Sequence, residues 1–112
     1  AAKISQIMNV RSTLSENGRE RTYLVAGQVF FASSEAFVAA FDLRETVDRV
    51  RIDVTHAHLW DVTAIAALDK VVMKFRETGA QVEVIGLNAA SQTMVDTLAV
   101  HDKGAMDLVS AH

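Results

Sequence analysis

The segment from residue 49 to residue 86 constrains the fold more than any other part of the sequence. It begins with "RVRIDVT", in which apolar and polar residues alternate with the period of two that a half-buried strand needs. A helix-like stretch over residues 61–77 follows, and "QVEVIG" then supplies another strand. Because a strand–helix–strand connection within one sheet is almost always right-handed, this segment predicts two parallel strands with a helix packed across them.

The first third of the chain predicts two antiparallel strands, near residues 4–14 and 20–29. Between them lies Asn17-Gly18, which is typical of a two-residue hairpin turn of type I′. Both residue types tolerate the positive φ that this turn requires. We therefore expect a tight hairpin at the start of the sheet.

Two further helices complete the pattern. The stretch "FFASSEAFVAAFDLRE" predicts a helix that Ser33 or Ser34 caps. A later stretch, "NAASQTMVDTLAV", predicts a helix with Asn88 as its cap, and the tail "HDKGAMDLVSAH" predicts a short closing strand or helix. The order β-β-α-β-α-β-α is that of an α/β fold, with a small mixed β-sheet and helices packed against it.

The composition narrows the classes of function. Of the 112 residues, half are hydrophobic and 22% are charged, as in one compact soluble domain. The net charge of −3 and the lack of a basic cluster argue against a nucleic-acid partner. The chain has no cysteine, and therefore no disulfide or thiolate chemistry. It has neither the roughly 20 apolar residues that cross a bilayer nor a signal-peptide pattern, so we expect no membrane insertion of this segment.

The start of the central helix carries a capping pattern. Asp61 is placed as the N-cap residue, whose carboxylate accepts a hydrogen bond from the amide of Thr63 or Ala64. Trp60 and Ile65 then have the spacing of a hydrophobic staple, which predicts that the indole is buried. The apolar face of this helix is expected to contain Ile65, Leu68, Val72 and Phe75. Thr63 projects away from that face, so its hydroxyl is expected to be exposed.

Four phenylalanines are expected in the core, namely Phe30, Phe31, Phe37 and Phe41. Phe30 and Phe31 are adjacent on an extended segment and so point to opposite faces. We expect neighbouring helices to cover both of them.

The chemistry-bearing residues do not assemble a recognisable catalytic or metal motif. His56 and His58 form an H-x-H pair, and Asp53 and Asp61 are the nearest further ligands. The two imidazoles are expected to point apart, so we predict no metal site. The sequence lacks a nucleophile elbow and a glycine-rich phosphate loop, and Gly86 is interpreted as a tight β–α turn. No catalytic role is predicted.

One long block resembles a known family. The stretch "IDVTHAHLWDVTAIAALDKVVMKFRETGAQVEVIGLN" is similar to the central block of STAS domains, and the likeness extends over roughly residues 23–103. STAS domains occur as free anti-sigma-factor antagonists and as cytoplasmic C-terminal domains of SulP-type sulfate and anion permeases. The stretches "GQVFFASSEAF", "HLWDVTAIAALDKVV" and "GLNAASQTMVDTLAVHDK" look more like the permease branch. The resemblance implies that residues 1–112 are a single STAS domain excised from a longer membrane transporter.

The resemblance also implies a site. In the antagonists the second helix opens with a D-S-S-G-like stretch whose second serine a kinase phosphorylates, and Thr63 occupies that phosphoacceptor position here. Val62 replaces a hydroxyl residue and Ala64 replaces the glycine, so the match is strongest for a docking surface centred on Thr63. That binding surface is expected to comprise Ser33, Ser34, Asp53, Thr55, His58, Asp61, Val62 and Ala64.

The function that the resemblance implies is regulatory and non-enzymatic. The expected partners are the membrane domain of the same transporter and a regulatory protein or kinase, on the cytoplasmic side of the membrane. No cofactor is expected, although some relatives bind nucleotides at this surface and the sequence leaves that open. The alternative is a free-standing anti-sigma-factor antagonist that works in a phosphorylation-controlled partner switch.

Overall fold

The computed structural model of this chain describes residues 7–92 and 94. Within them, four strands form one sheet in the spatial order β1-β2-β3-β4. The strands are β1 (Met8–Leu14), β2 (Glu20–Val29), β3 (Arg49–Leu59) and β4 (Gln81–Ile85), and the helices are α1 (Ser34–Ala39), α2 (Val62–Glu77) and α3 (Leu87–Ala90). The predicted α/β class and element order are confirmed. None of these helices is long and apolar enough to cross a bilayer.

The sheet is mixed, as predicted. β1 and β2 are antiparallel, whereas β2 with β3 and β3 with β4 are parallel pairs. The predicted parallel arrangement of the strands on either side of α2 is therefore confirmed. Because the strands β2, β3 and β4 all run the same way, their carboxyl ends and the loops that follow lie at one edge of the sheet.

The hairpin turn differs from the prediction. Gly18 has a φ of 71°, but no residue other than glycine has a positive φ in the described part of the chain, so Asn17 does not adopt the type I′ conformation. Instead, residues 15–19 form a longer loop in which the backbone N–H of Gly18 donates to the carbonyl of Ser15 at 2.9 Å. The Asn17 side chain accepts a hydrogen bond from the Ser15 hydroxyl at 2.7 Å and so stabilises this loop.

β3 is longer than predicted and contains a bulge. Leu24 of β2 lies opposite Asp53, but Ala26 lies opposite His56, so β3 has one more residue than β2 between these two pairs. Gly86, with a φ of 78°, packs so closely against Thr55 at this bulge that a Cβ would have no room there. The bulge therefore explains why a glycine is needed at the start of α3.

The core lies between one face of the sheet and the helices α1 and α2. Predicted core residues of α2 are confirmed as buried at Leu68, Val72 and Phe75, while Ile65 is partly buried. Tyr23 of β2 contacts the ring of Phe41 with centroids 4.6 Å apart, and it contacts the ring of Phe75 with centroids 5.8 Å apart. The contact with Phe75 holds α2 against the sheet, and the contact with Phe41 does the same for the segment after α1.

The helix ends agree only in part with the predicted caps. The Asp61 carboxylate accepts a hydrogen bond from the amide of Ala64 at 2.9 Å, which confirms the predicted N-cap of α2. Ser33 precedes α1 but makes no side-chain capping bond. α3 begins after Gly86 rather than at Asn88. The predicted continuation of the last helix beyond residue 94, the closing tail, and the first residues of the strand predicted over 4–14 lie outside the described residues.

Candidate functional site

The loops after β2 and β3 meet at the edge formed by the carboxyl ends of the parallel strands. Trp60, directly after β3, donates its backbone N–H to the Val29 carbonyl at 3.0 Å. The two carboxylate oxygens of Asp61 accept hydrogen bonds from different segments. Oδ1 accepts from Ala64 at 2.9 Å, and Oδ2 accepts from the backbone N–H of Phe31 at 3.0 Å. Asp61 is thus both a helix cap and a bridge between the two loops.

Thr63 lies on the first turn of α2, with its side chain exposed as the helical spacing predicted. It lines an open groove of about 530 Å³ between α1 and α2. The other residues that line this groove are Ser34, Glu35, Val38, Ala39, Ala66, Ala67 and Lys70. The groove therefore combines apolar side chains with two hydroxyl residues, one carboxylate and one ammonium group.

The two serines at the start of α1 are buried, not exposed. Ser33 is only 1% exposed, and its hydroxyl donates to the Gln28 carbonyl at 2.9 Å and accepts from the Phe30 N–H at 3.1 Å. The Ser34 hydroxyl donates to the Phe31 carbonyl at 3.2 Å. Both were predicted to belong to the binding surface, but their hydroxyls are occupied in shaping the loop. Ser34 still contributes to the wall of the Thr63 groove.

Three predicted site residues on β3 lie apart from the groove. The side chains of Asp53 and His58 project from the sheet face opposite α1 and α2, because Ile52, Val54, Ala57 and Leu59 fill the face that the helices cover. Thr55 lies at the bulge, against Gly86. Hydrogen bonds from the Thr55 side chain and backbone lower the pKa of Asp53. The structure therefore separates these residues from Thr63.

The two histidines of the H-x-H motif point to the same side of the sheet. His56 and His58 are both exposed while Ala57 between them is buried, as the period of two along a strand requires. The expectation that they point apart is therefore wrong. Even so, the described residues contain no group of three or more histidine, cysteine, aspartate or glutamate side chains suited to hold a metal ion.

An aromatic cleft formed where the chain leaves β2 and β3 is the feature that the sequence reasoning missed. It has a volume of about 350 Å³ and is lined by Gln28, Phe30, Phe31, Trp60 and Asp61. Trp60 is 48% exposed and Phe31 is 72% exposed, so the predictions that Trp60 is buried by a staple and that Phe31 is covered are wrong. The indole N–H of Trp60 donates to the Oε1 atom of Gln28, which holds the ring in place.

A sequence signal for this cleft existed in the pair of adjacent phenylalanines. Residues 30–33 form a turn after β2, in which the Ser33 N–H donates to the Phe30 carbonyl at 3.0 Å, so the two rings pack on each other instead of pointing to opposite faces as expected for an extended segment. Phe30 is partly buried and Phe31 is exposed, with ring centroids 5.4 Å apart in an edge-to-face arrangement. Val62, which is 77% exposed on the first turn of α2, adds another exposed apolar side chain near Thr63 in the sequence.

Comparison with known proteins identifies a family that matches this chain. Residues 11–110 match the family model of the STAS domain. The putative sulfate transporter YbaR of Bacillus subtilis (strain 168) is 46% identical over 98 residues, which make up 88% of this chain. The matched part covers only 20% of YbaR, so this chain spans about a fifth of the length of that relative.

Solved structures of similar fold agree with this family match. The crystal structure of an antisigma-factor antagonist, a STAS domain from Rhodobacter sphaeroides, is 55% identical with a TM-score of 0.77, and the match covers 78% of this chain and 95% of that one. The structure of Mglu is 22% identical with a TM-score of 0.54, covering 64% of this chain and 18% of that one, a likeness of fold alone. With a family match over most of its length and a closely similar solved relative, the chain belongs to the STAS domain family.

Proposed function

We propose that this chain is the regulatory, non-enzymatic STAS domain of a SulP-type transporter of sulfate or another inorganic anion. It acts from the cytoplasmic side by binding a protein at the surface centred on Thr63. The similarity to a putative sulfate transporter supports the transporter assignment. No resident cofactor is part of this proposal.

The observation that carries the proposal is the exposed Thr63 at the phosphoacceptor position of the family. Its hydroxyl lies at the rim of the open groove between α1 and α2, where a partner has access to it. The ionisable side chains that line this groove are Glu35 and Lys70, both of them exposed. An open groove with solvated charges suits docking better than catalysis, which benefits from an enclosed, water-excluding site.

Docking at this surface does not require phosphorylation. A phosphate on Thr63 would add about −1.5 to −2 charges at the positive end of the α2 dipole, which favours it. The neighbouring Asp61 carboxylate opposes it by like-charge repulsion. Val62 and Ala64 also depart from the antagonist motif, so we assign Thr63 the role of a contact residue first.

Transport by the full-length protein tests the proposal. In the reading frame that contains this chain, we expect Thr63→Glu to change the rate of anion uptake into membrane vesicles and Thr63→Ser to leave it near the wild-type value. Thr46→Glu is the matched control, since Thr46 is also exposed but lies outside the groove. Uptake that is insensitive to Thr63→Glu, or a reading frame without membrane segments, would refute the transporter assignment.

A free-standing anti-sigma-factor antagonist is the second candidate. It is favoured by the 55% identity to the Rhodobacter sphaeroides antagonist, 95% of which the match covers. On this alternative, a kinase encoded next to the gene phosphorylates the purified chain, and Thr63→Ala abolishes the labelling. If neighbouring kinases leave the wild-type chain unlabelled while Thr63→Glu alters anion uptake, the transporter assignment is preferred.

A further inference from the structure

We infer that the aromatic cleft of Phe30, Phe31 and Trp60 binds an arginine side chain that projects from an apolar protein segment, namely the basic cytoplasmic end of a membrane helix of the same transporter. This inference rests on the proposed function, because it names the chemistry of the partner that docks at this surface. Three observations support it: the aromatic rings that line the cleft, the presence of Asp61 among the lining residues, and the exposed apolar side chains together with the net negative charge of the chain.

The walls of the cleft are aromatic and held in place. Phe30 and Phe31 support each other edge to face, and the hydrogen bond to Gln28 fixes the indole of Trp60. An aromatic ring attracts a cation placed over its face, most strongly when the ring is an indole and the cation a guanidinium. Because Trp60 is 48% exposed, part of its ring is available to a ligand.

The carboxylate of Asp61 completes the site. Each of its oxygens accepts one backbone N–H, so the group is held rigidly while each oxygen keeps a further lone pair. None of the ion pairs between described residues includes Asp61, and no basic side chain is among the residues that line the cleft. An arginine stacks flat on an aromatic ring while its N–H groups reach a carboxylate, whereas lysine offers only a point charge.

The apolar surround and the net charge indicate where such an arginine comes from. Phe31 at 72% and Val62 at 77% exposure favour a segment whose arginine has apolar neighbours. Loops at the cytoplasmic ends of membrane helices carry an excess of lysine and arginine, and this chain has a net charge of −3. The bilayer surface itself is a poorer occupant, because its anionic headgroups repel an acidic domain and the Asp61 carboxylate.

A peptide titration of the 112-residue chain, followed by NMR, tests the inference. The probe is acetyl-Leu-Arg-Leu-amide, and the control peptide contains citrulline, which keeps the shape of arginine but lacks its charge. We expect the arginine peptide to shift the resonances of the Trp60 indole N–H and the Phe31 amide. Citrulline is expected to weaken binding about fivefold to tenfold, from the loss of a cation–π contact and an ion pair.

Three variants, one of them a control, locate the effect. Asp61→Asn keeps a side chain that caps helices well, and it is expected to remove most of the preference for arginine over citrulline. Asp69→Asn, an exposed carboxylate further along α2, is the matched control and should leave that preference unchanged. Phe31→Ser gives an independent test, because a side chain so exposed contributes little to folding, and it should weaken binding of the arginine peptide.

Several outcomes overturn the inference. They are equal affinity for the two peptides, no shift up to the solubility limit of the arginine peptide, and shifts at Trp60 that anionic lipid vesicles cause but the peptide does not. If the peptide fails while Thr63→Glu still alters anion uptake, the cleft assignment is wrong and the proposed function stands. If arginine binds while Thr63→Glu has no effect on uptake, the cleft is a binding site but the transporter role fails.

Discussion

Asp61 ties both loops of the site to the start of α2, and its removal should therefore be costly. We predict that Asp61→Ala lowers the free energy of unfolding by about 2 kcal/mol. Losing the capping bond to Ala64 costs about 1 kcal/mol in a typical helix. Losing the bond from the Phe31 amide adds about 1 kcal/mol, below the usual value for a charged acceptor because this bond is exposed to solvent.

Urea denaturation followed by circular dichroism measures this change. Asp61→Asn should lower the free energy of unfolding by about half as much as Asp61→Ala. Asparagine still caps the helix, but it has only one oxygen to share between the two amides. Asp69→Ala, at an exposed position within the same helix, should stay within about 0.5 kcal/mol of the wild type. A loss for Asp61→Ala no larger than that of Asp69→Ala would show that the two bonds do not hold the site together. Faster hydrogen exchange at the Phe31 amide in both Asp61 variants would identify the second bond directly.

Three further changes test other parts of the structure. Trp60→Ala should cost less than about 2 kcal/mol in the same melt, well below the loss for a buried tryptophan, because the residue is 48% exposed. Gly86→Ala should cost at least about 1 kcal/mol more than Gly79→Ala, since both have positive φ but only Gly86 lacks room for a Cβ. The hydrogen bond from Arg21 lowers the pKa of Glu45. This pair therefore stabilises the fold fully above the unfolded-state pKa of about 4.3. The stabilisation is lost as the pH falls through the lower folded-state pKa. Glu45→Gln should accordingly flatten the acid limb of a stability–pH curve, and an unchanged limb would show that the pair does not contribute.

The elements that the sequence predicted well are those with sustained periodicity. α2 keeps its apolar residues at helical spacing over its whole length, and the strands on either side of it alternate cleanly at the point where they pair. Such patterns report directly which side of an element is buried. The class, the element order and the Asp61 cap followed from them, as did the exposure of Thr63.

The features that the sequence did not predict depend on contacts between distant segments. The path of the preceding loop decides whether the Ser33 hydroxyl caps a helix or donates to the Gln28 carbonyl. The capping preference of serine depends only on neighbouring residues and therefore does not predict this path. The spacing of Trp60 and Ile65 suggested a staple, yet the indole turns instead to the side chain of Gln28 on the neighbouring strand. The aromatic cleft is assembled from two loops, and their juxtaposition is visible only when the strands are paired.

The bulge in β3 has a consequence for the position of this cleft. Along a strand, one inserted residue shifts the phase of the alternation, and every later side chain changes sides. Val50, Ile52 and Val54 face the core before the insertion, so an uninterrupted alternation would carry His58 and Trp60 inward as well. With the insertion, Leu59 takes the inward position and Trp60 is left at the surface. The bulge therefore absorbs one extra residue in β3, so that Ala57 and Leu59 keep their side chains in the core while Trp60 stays at the surface, where the cleft forms.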